Sequence, residues 1–173
     1  NGEGLGFLNI GSSIGIEFDT FLNTTRSDPS SNHIGIDLLG SVTSVAPYTY
    51  DYTTADFDNG NLWTAWIDYD GSTLQVRANE TGVRPASALI SYPFSPSTTL
   101  GGTTAYVGFT ASTGGAWEDE DIIKWTYSDT YLASGVTAGV AVPEPVDTAI
   151  WAGGFMAALA GARRVCSKRR TSA

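Results

Sequence analysis

The sequence holds one cysteine, one histidine and few basic residues, and the first and last of these scarcities exclude a class of protein. The single Cys166 leaves no internal disulfide, so the chain is not a disulfide-stapled scaffold. Nine basic residues face 18 acidic ones, for a net charge of −9. Only Arg26, Arg77, Arg84 and Lys124 fall in residues 1–142, whereas Arg163, Arg164, Lys168, Arg169 and Arg170 crowd the tail. A body this acidic repels a phosphate backbone, which argues against nucleic acid as a partner. What is abundant is glycine, threonine, serine and tyrosine in short alternating runs, the pattern of an all-β chain. At 173 residues the length suits one domain with one buried core.

The single histidine, His33, stands in the most informative stretch, residues 16–37. Glu17 and Asp19 lie two apart among β-branched and aromatic residues, so on a strand they share a face. A polar loop follows, with Asp28-Pro29-Ser30-Ser31 as its turn signal, and then a second strand from His33 to Leu38. Strand–loop–strand geometry lets the loop acids meet the strand acids. Carboxylate and amide oxygens suit a hard cation such as calcium, and one added imidazole nitrogen suits a transition ion. Taken by itself, an acidic pair is as readily a solvated strand edge; Asn23, Asp28 and His33 tilt the reading towards metal.

Downstream, Asp56-Phe57-Asp58-Asn59-Gly60 lacks the later glutamate of an EF-hand loop. Tyr48, Tyr50 and Tyr52 read as packing and loop anchors. Residues 62–77 read as a β-hairpin across Asp70-Gly71, with Trp63 and Trp66 on opposite faces. A short strand is expected at 88–94, and a last strand pair at 105–114 and 121–127, joined by the acidic loop 115–120.

These motifs resemble one family. Glu17-Phe-Asp-Thr-Phe-x-Asn23, then Asp28-Pro29, then His33-Ile-Gly-Ile-Asp37 resembles the metal-site segment of the legume-type (L-type) lectins. The hairpin and the pair Val107-Gly-Phe-Thr-Ala-Ser-Thr-Gly114 and Asp121-Ile-Ile-Lys-Trp-Thr-Tyr127 resemble further signatures of that family. The resemblance implies a concanavalin A-like jelly-roll β-sandwich, partial here, that binds calcium and manganese side by side and recognises glycans. By position, the transition ion takes Glu17, Asp19, Asp28 and His33. Calcium takes Asp19, the carbonyl of Phe21, Asn23 and Asp28. Ser44 resembles the family serine that holds a water on the transition ion, despite one extra residue in Leu38-Leu39-Gly40. Carbohydrate would meet Phe21 and Asn23, an amide of Gly2 or Gly4 in the first loop, and Gly115, Ala116 and Trp117 in the specificity loop. Glu3 falls near the family's glycine. The family's Ala-Asp-Gly sugar aspartate is absent, and the record begins at Asn1 without methionine or signal peptide, so the resemblance implies further strands in a longer chain.

The tail reads separately. Residues 1–131 form the lectin-like part, 132–141 a linker, and 142–173 a terminal segment. Val142-Pro143-Glu144-Pro145, an apolar run over 146–162 read as a hydrophobic helix, and a basic cluster from Arg163 and Arg164 onward look like the bacterial PEP-CTERM sorting signal. That resemblance implies an exported surface or extracellular protein, a transient membrane anchor and an exosortase-type partner. Exopolysaccharide is the matching glycan class, and a homo-oligomer fits weak multivalent binding. A glycoside hydrolase on the same fold is the competing reading. The laminarinase-type motif places a third acid four residues after the first, where this chain has Phe21. A metal-stabilised adhesive sandwich without a sugar pocket is the third reading.

Overall fold

The computed structural model of the chain describes residues 2–102 and 104–131 and the course of the strand Met156–Val165. Among the described residues, eight strands form two sheets, a mostly β architecture consistent with a partial jelly-roll sandwich. The first sheet has the order β1 (Ile14–Asp19), β2 (His33–Leu38), β3 (Thr49–Asp51). The second has the order β6 (Ile90–Pro93), β5 (Thr73–Asn79), β4 (Leu62–Tyr69), β8 (Met156–Val165), β7 (Asp119–Ser128). All pairings are antiparallel. One short helix, α1 (Pro96–Leu100), follows β6. Among the described residues no helix is long and apolar enough to cross a membrane.

The β4–β5 hairpin turns where Asp70-Gly71 stands in the sequence. Gly71 has φ 99°, a conformation that side-chain-bearing residues rarely adopt. Asp70 Oδ1 accepts from the Ser72 and Thr73 amides at 2.9 and 2.8 Å, which closes the turn and holds this carboxyl below its ordinary range. Trp63 joins the core with Ile34, Ile36, Phe57, Leu74, Val76 and Ile90. Edge-to-face contacts bind Trp63 to Phe57 at 4.8 Å and to Tyr52 at 5.1 Å. The tyrosines therefore pack as expected, with Tyr48 on Tyr92 and Tyr50 on Tyr52. Phe57 is buried in the core and its amide donates to Asn32, so the 56–60 segment is a packing element.

One expectation is corrected. Residues 105–113 form no strand. Their alternating pattern signals extended backbone, but a strand needs a partner edge, and β7 pairs with β8 instead. This stretch lies along the first loop: a Cβ placed on Gly6 would stand 3.0 Å from the Ala111 carbonyl oxygen. Met156–Val165 runs as a strand between β4 and β7. Alanine-rich sequence favours helix, but pairing with the backbone of two strands outweighs that local preference. The linker and Val142, Pro143, Glu144 and Pro145 lie outside the described residues.

The sandwich is open. A cavity of about 1530 Å³ lies against the inward faces of both sheets, lined by Phe18, Trp63, Tyr69, Phe109 and Trp125 among others. Ile122, Ile123 and Trp125 of β7 remain substantially exposed.

Candidate functional site

The β1–β2 register builds the site. Asp19 lies opposite His33 and Glu17 opposite Gly35. Two-residue periodicity puts Glu17 and Asp19 on one face, and antiparallel pairing brings the imidazole beside them. One ligand atom from each of Glu17, Asp19 and His33 falls within 4.8 Å of the others. All three are buried. His33 Nε2 is 3.2 Å from Glu17 Oε1 and 3.9 Å from Asp28 Oδ1. Its Nδ1 lies 2.9 Å from the Ser30 carbonyl, an acceptor that fixes the proton on Nδ1 and leaves Nε2 facing the acids.

The loop between the strands is held by the same acids. Asp19 Oδ1 accepts from the Phe21 amide at 2.7 Å, and Asp28 Oδ2 from the Asn23 amide at 2.6 Å. Each carboxylate thus holds loop backbone with one oxygen, and Asp28 turns its other towards His33. The turn Thr24–Arg26 ends at Ser27 in the left-handed region, φ 67°, which returns the chain towards Asp28.

Ser44 rejoins the site despite the extra residue upstream. Leu39 and Gly40 both take positive φ, 56° and 75°, and this turn absorbs the insertion. Ser44 Oγ then sits 2.6 Å from Glu17 Oε1 and 2.9 Å from Asp37 Oδ1. A hydroxyl has one proton to give. Burial, aided by the Glu17 charge, pushes Asp37 up to about 8, so its carboxyl is largely neutral at pH 7 and the two contacts are compatible. Burial also raises Asp19 and Asp28, with the neighbouring acids adding to it. For His33, burial pulls downward, but the Glu17 hydrogen bond and the charges of Glu17, Asp28 and Asp19 outweigh it and the net shift is up. A buried acid cluster under such pressure is relieved by a divalent cation, and its oxygen-plus-imidazole donor set fits one.

Gly35 is the cradle of this arrangement. A Cβ there would lie 1.9 Å from Ser44 Oγ, 2.9 Å from Ser44 Cβ and 2.5 Å from Glu17 Oε1. Gly35→Ala is expected to displace both side chains, costing about 1–3 kcal/mol in stability by overpacking and weakening the binding of any divalent ion held there roughly tenfold or more. Calorimetric titration of the ion into wild type and variant checks this. Gly35 and Asp37 lie within the His33–Asp37 motif, but the sequence assigns neither of them a role. The register of β1 on β2 is the signal that exposes them.

The expected carbohydrate contacts Gly2, Phe21, Asn23, Gly115, Ala116 and Trp117 all border the open cavity. Phe21 is 50% exposed and Trp117 60%, so both rings are open to solvent. A Cβ on Gly2 would meet the Gly114 amide nitrogen at 2.7 Å, so the first loop and the 112–118 loop touch. Glu3 turns its carboxylate to Arg26 Nη2 at 2.7 Å.

The chain is similar to known proteins. Residues 1–138 match the legume lectin domain. The chain is 32% identical over 149 residues to L-type lectin-domain containing receptor kinase VIII.1 of Arabidopsis thaliana, covering 84% of this chain and 19% of that protein. It is 36% identical over 122 residues to L-type lectin-domain containing receptor kinase SIT2 of Oryza sativa subsp. japonica, covering 65% of this chain and 18% of that protein. It therefore spans about a fifth of the length of these relatives. No solved structure gives a significant match.

Proposed function

Because this chain belongs to the legume lectin family, we propose that it binds carbohydrate in a calcium-dependent way, through a loop that two metal ions hold rigid. The observation that carries this reading is the double use of Asp19 and Asp28. Each grips the backbone of the loop bearing Phe21 and Asn23 and also faces the buried imidazole site. A transition ion such as manganese would take Glu17, Asp19, Asp28 and His33. Calcium would take Asp19, the Phe21 carbonyl, Asn23 and Asp28. Bound ions supply fixed positive charge that lets the acids stay ionised, and they catalyse nothing.

The chain's own groups then meet the sugar. The Asn23 amide donates to a ring hydroxyl. Phe21 offers an apolar face to sugar C–H groups, and Trp117 a second one. Backbone amides of the Gly2 loop and of Gly115 or Ala116 complete the rim. The module binds and does not hydrolyse: Phe21 occupies the place of a third catalytic acid.

Sequence alone supports sorting by the tail. Val142-Pro143-Glu144-Pro145 and the cluster at Arg163 and Arg164 fit recognition by an exosortase-type enzyme after export, with weak sites multiplied on a surface or in a homo-oligomer. The pairing of Met156–Val165 with β4 and β7 and its entry into a membrane exclude each other. Anchoring therefore requires this strand to leave the sheet.

The test is a glycan array on the full-length natural protein, with calcium and manganese and again with chelator. Binding that vanishes on chelation is the expected result. Metal that raises the melting temperature with no glycan bound in either condition would overturn carbohydrate recognition. It would leave a metal-stabilised structural or adhesive sandwich, the reading favoured by the missing sugar aspartate and by Glu3 near the family's glycine.

A further inference from the structure

Three side-chain contacts close a triangle among loops distant in sequence. Arg26 Nη2 in the metal loop donates to Glu3 Oε1 in the first loop at 2.7 Å. Thr20 Oγ1, also in the metal loop, donates to Glu118 Oε1 at 2.7 Å, across 98 residues of sequence. Ser112 Oγ donates to the Gly2 carbonyl at 2.9 Å, which joins the first loop to the loop that ends at Glu118. Thr20 lies between Asp19 and Phe21, and Arg26 lies two residues before Asp28. The two ties therefore leave the metal loop from its two ends. Glu3 and Glu118 stand on loops to which no metal ligand is assigned above.

We propose that Arg26–Glu3 and Thr20–Glu118 are positioning contacts that pass the order imposed by metal on residues 20–28 to the first loop and to residues 112–118. The proposal rests on the metal reading given above, but not on sugar recognition. The physical basis is conformational entropy. Ordering the metal loop fixes one end of each contact, so the partner loop gives up less freedom to complete it. Because the third contact joins the two partner loops, order gained by one is shared with the other. A cleft made of three loops is then preorganised by ions that touch only one of them.

Hydrogen exchange of the backbone amides, with and without calcium and manganese, tests this on the full-length protein. In wild type, metal is expected to slow exchange about tenfold in residues 2–8 and 112–118 as well as in 20–28. Arg26→Met is expected to weaken the response in residues 2–8, Thr20→Val the response in 112–118, and the double variant to remove both. Metal affinity, read by calorimetry with the ions alone, should hold in Thr20→Val. It should hold or rise in Arg26→Met, because Arg26 is a positive charge acting on Asp28. The charge-swapped pair Glu3→Arg with Arg26→Glu should restore the response of residues 2–8, which a merely destabilised loop would not regain.

The inference is overturned if metal leaves residues 2–8 and 112–118 unchanged in wild type. It is also overturned if the double variant responds as wild type does, or if the swapped pair stays unresponsive. Loss of glycan binding on the array, with these exchange responses intact, would sink carbohydrate recognition alone.

Discussion

Asp19→Ala is expected to abolish metal binding and, with it, all glycan binding, while leaving the metal-free fold close to its wild-type stability. The two halves of this result have separate causes. Asp19 is assigned to both ions and holds the Phe21 amide, so neither ion keeps a full ligand set without it. In the absence of metal, however, Asp19 is a buried carboxyl raised by desolvation and by the charges of Asp28 and Glu17. Removing it relieves that burial and repulsion, and forfeits the Phe21 hydrogen bond, worth about 1 kcal/mol, and the attraction to His33, so the two sides nearly cancel. Thermal melts with and without ions read the difference. Wild type should gain about 2.7 kcal/mol at a metal concentration one hundred times the dissociation constant, and the variant nothing. A variant that still binds glycan would overturn the metal-loop mechanism. One that melts far below metal-free wild type would overturn the account of repulsion in the empty cluster.

The second large effect lies on the outer face of the second sheet. Asp68 of β4 is fully buried there. Its Oδ2 accepts from Arg77 Nη1 at 2.8 Å and from Arg84 through Nε at 3.2 Å and through Nη2. Arg77 reaches Gln75 Oε1 at 2.8 Å as well. Burial lowers Arg77, and the charge of Arg84 lowers it further, against the opposing pull of Asp68. Asp68→Ala would leave two guanidinium groups face to face with their shared counter-charge gone. The expected cost is about 3–5 kcal/mol, the range for breaking a buried ion pair from one side. That is a large part of the 5–15 kcal/mol that holds an ordinary domain together. Arg84→Met should cost less, because it leaves Asp68 and Arg77 as a one-to-one pair. Urea denaturation followed by tryptophan fluorescence gives both values. Equal costs for the two variants would show that Arg77 alone does not satisfy Asp68.

This cluster also shows where sequence reading stops. Asp68, Arg77 and Arg84 carry no motif, and in the sequence Asp68 is simply a polar position on an alternating strand. Only the β4–β5 register, with Asp68 opposite Gln75 and Trp66 opposite Arg77, places acid and base together under the 80–89 segment. Trp66 is buried on that face, while Trp63 enters the core, the opposition that alternating side-chain direction requires. The last strand pair failed for a related reason. The apolar alternation of residues 105–113 is local, but strand formation is not, and β7 takes its hydrogen bonds from β8.

The sequence by itself determined the all-β class, the β4–β5 hairpin and the strand–loop–strand that carries Glu17, Asp19 and His33. All three rest on short-range rules: alternation along a strand, a glycine at a turn, a histidine and acids within 17 residues of one another. Only the tertiary structure decided that Gly35 makes room for the Glu17–Ser44–Asp37 chain, that Asp68 lies between two arginines, and that Glu3 and Glu118 reach the metal loop. Those arrangements depend on register and on contacts between residues 7 to 98 positions apart. Their energies come from burial and from charges brought within a few ångströms, and neither exists until the sheets have formed.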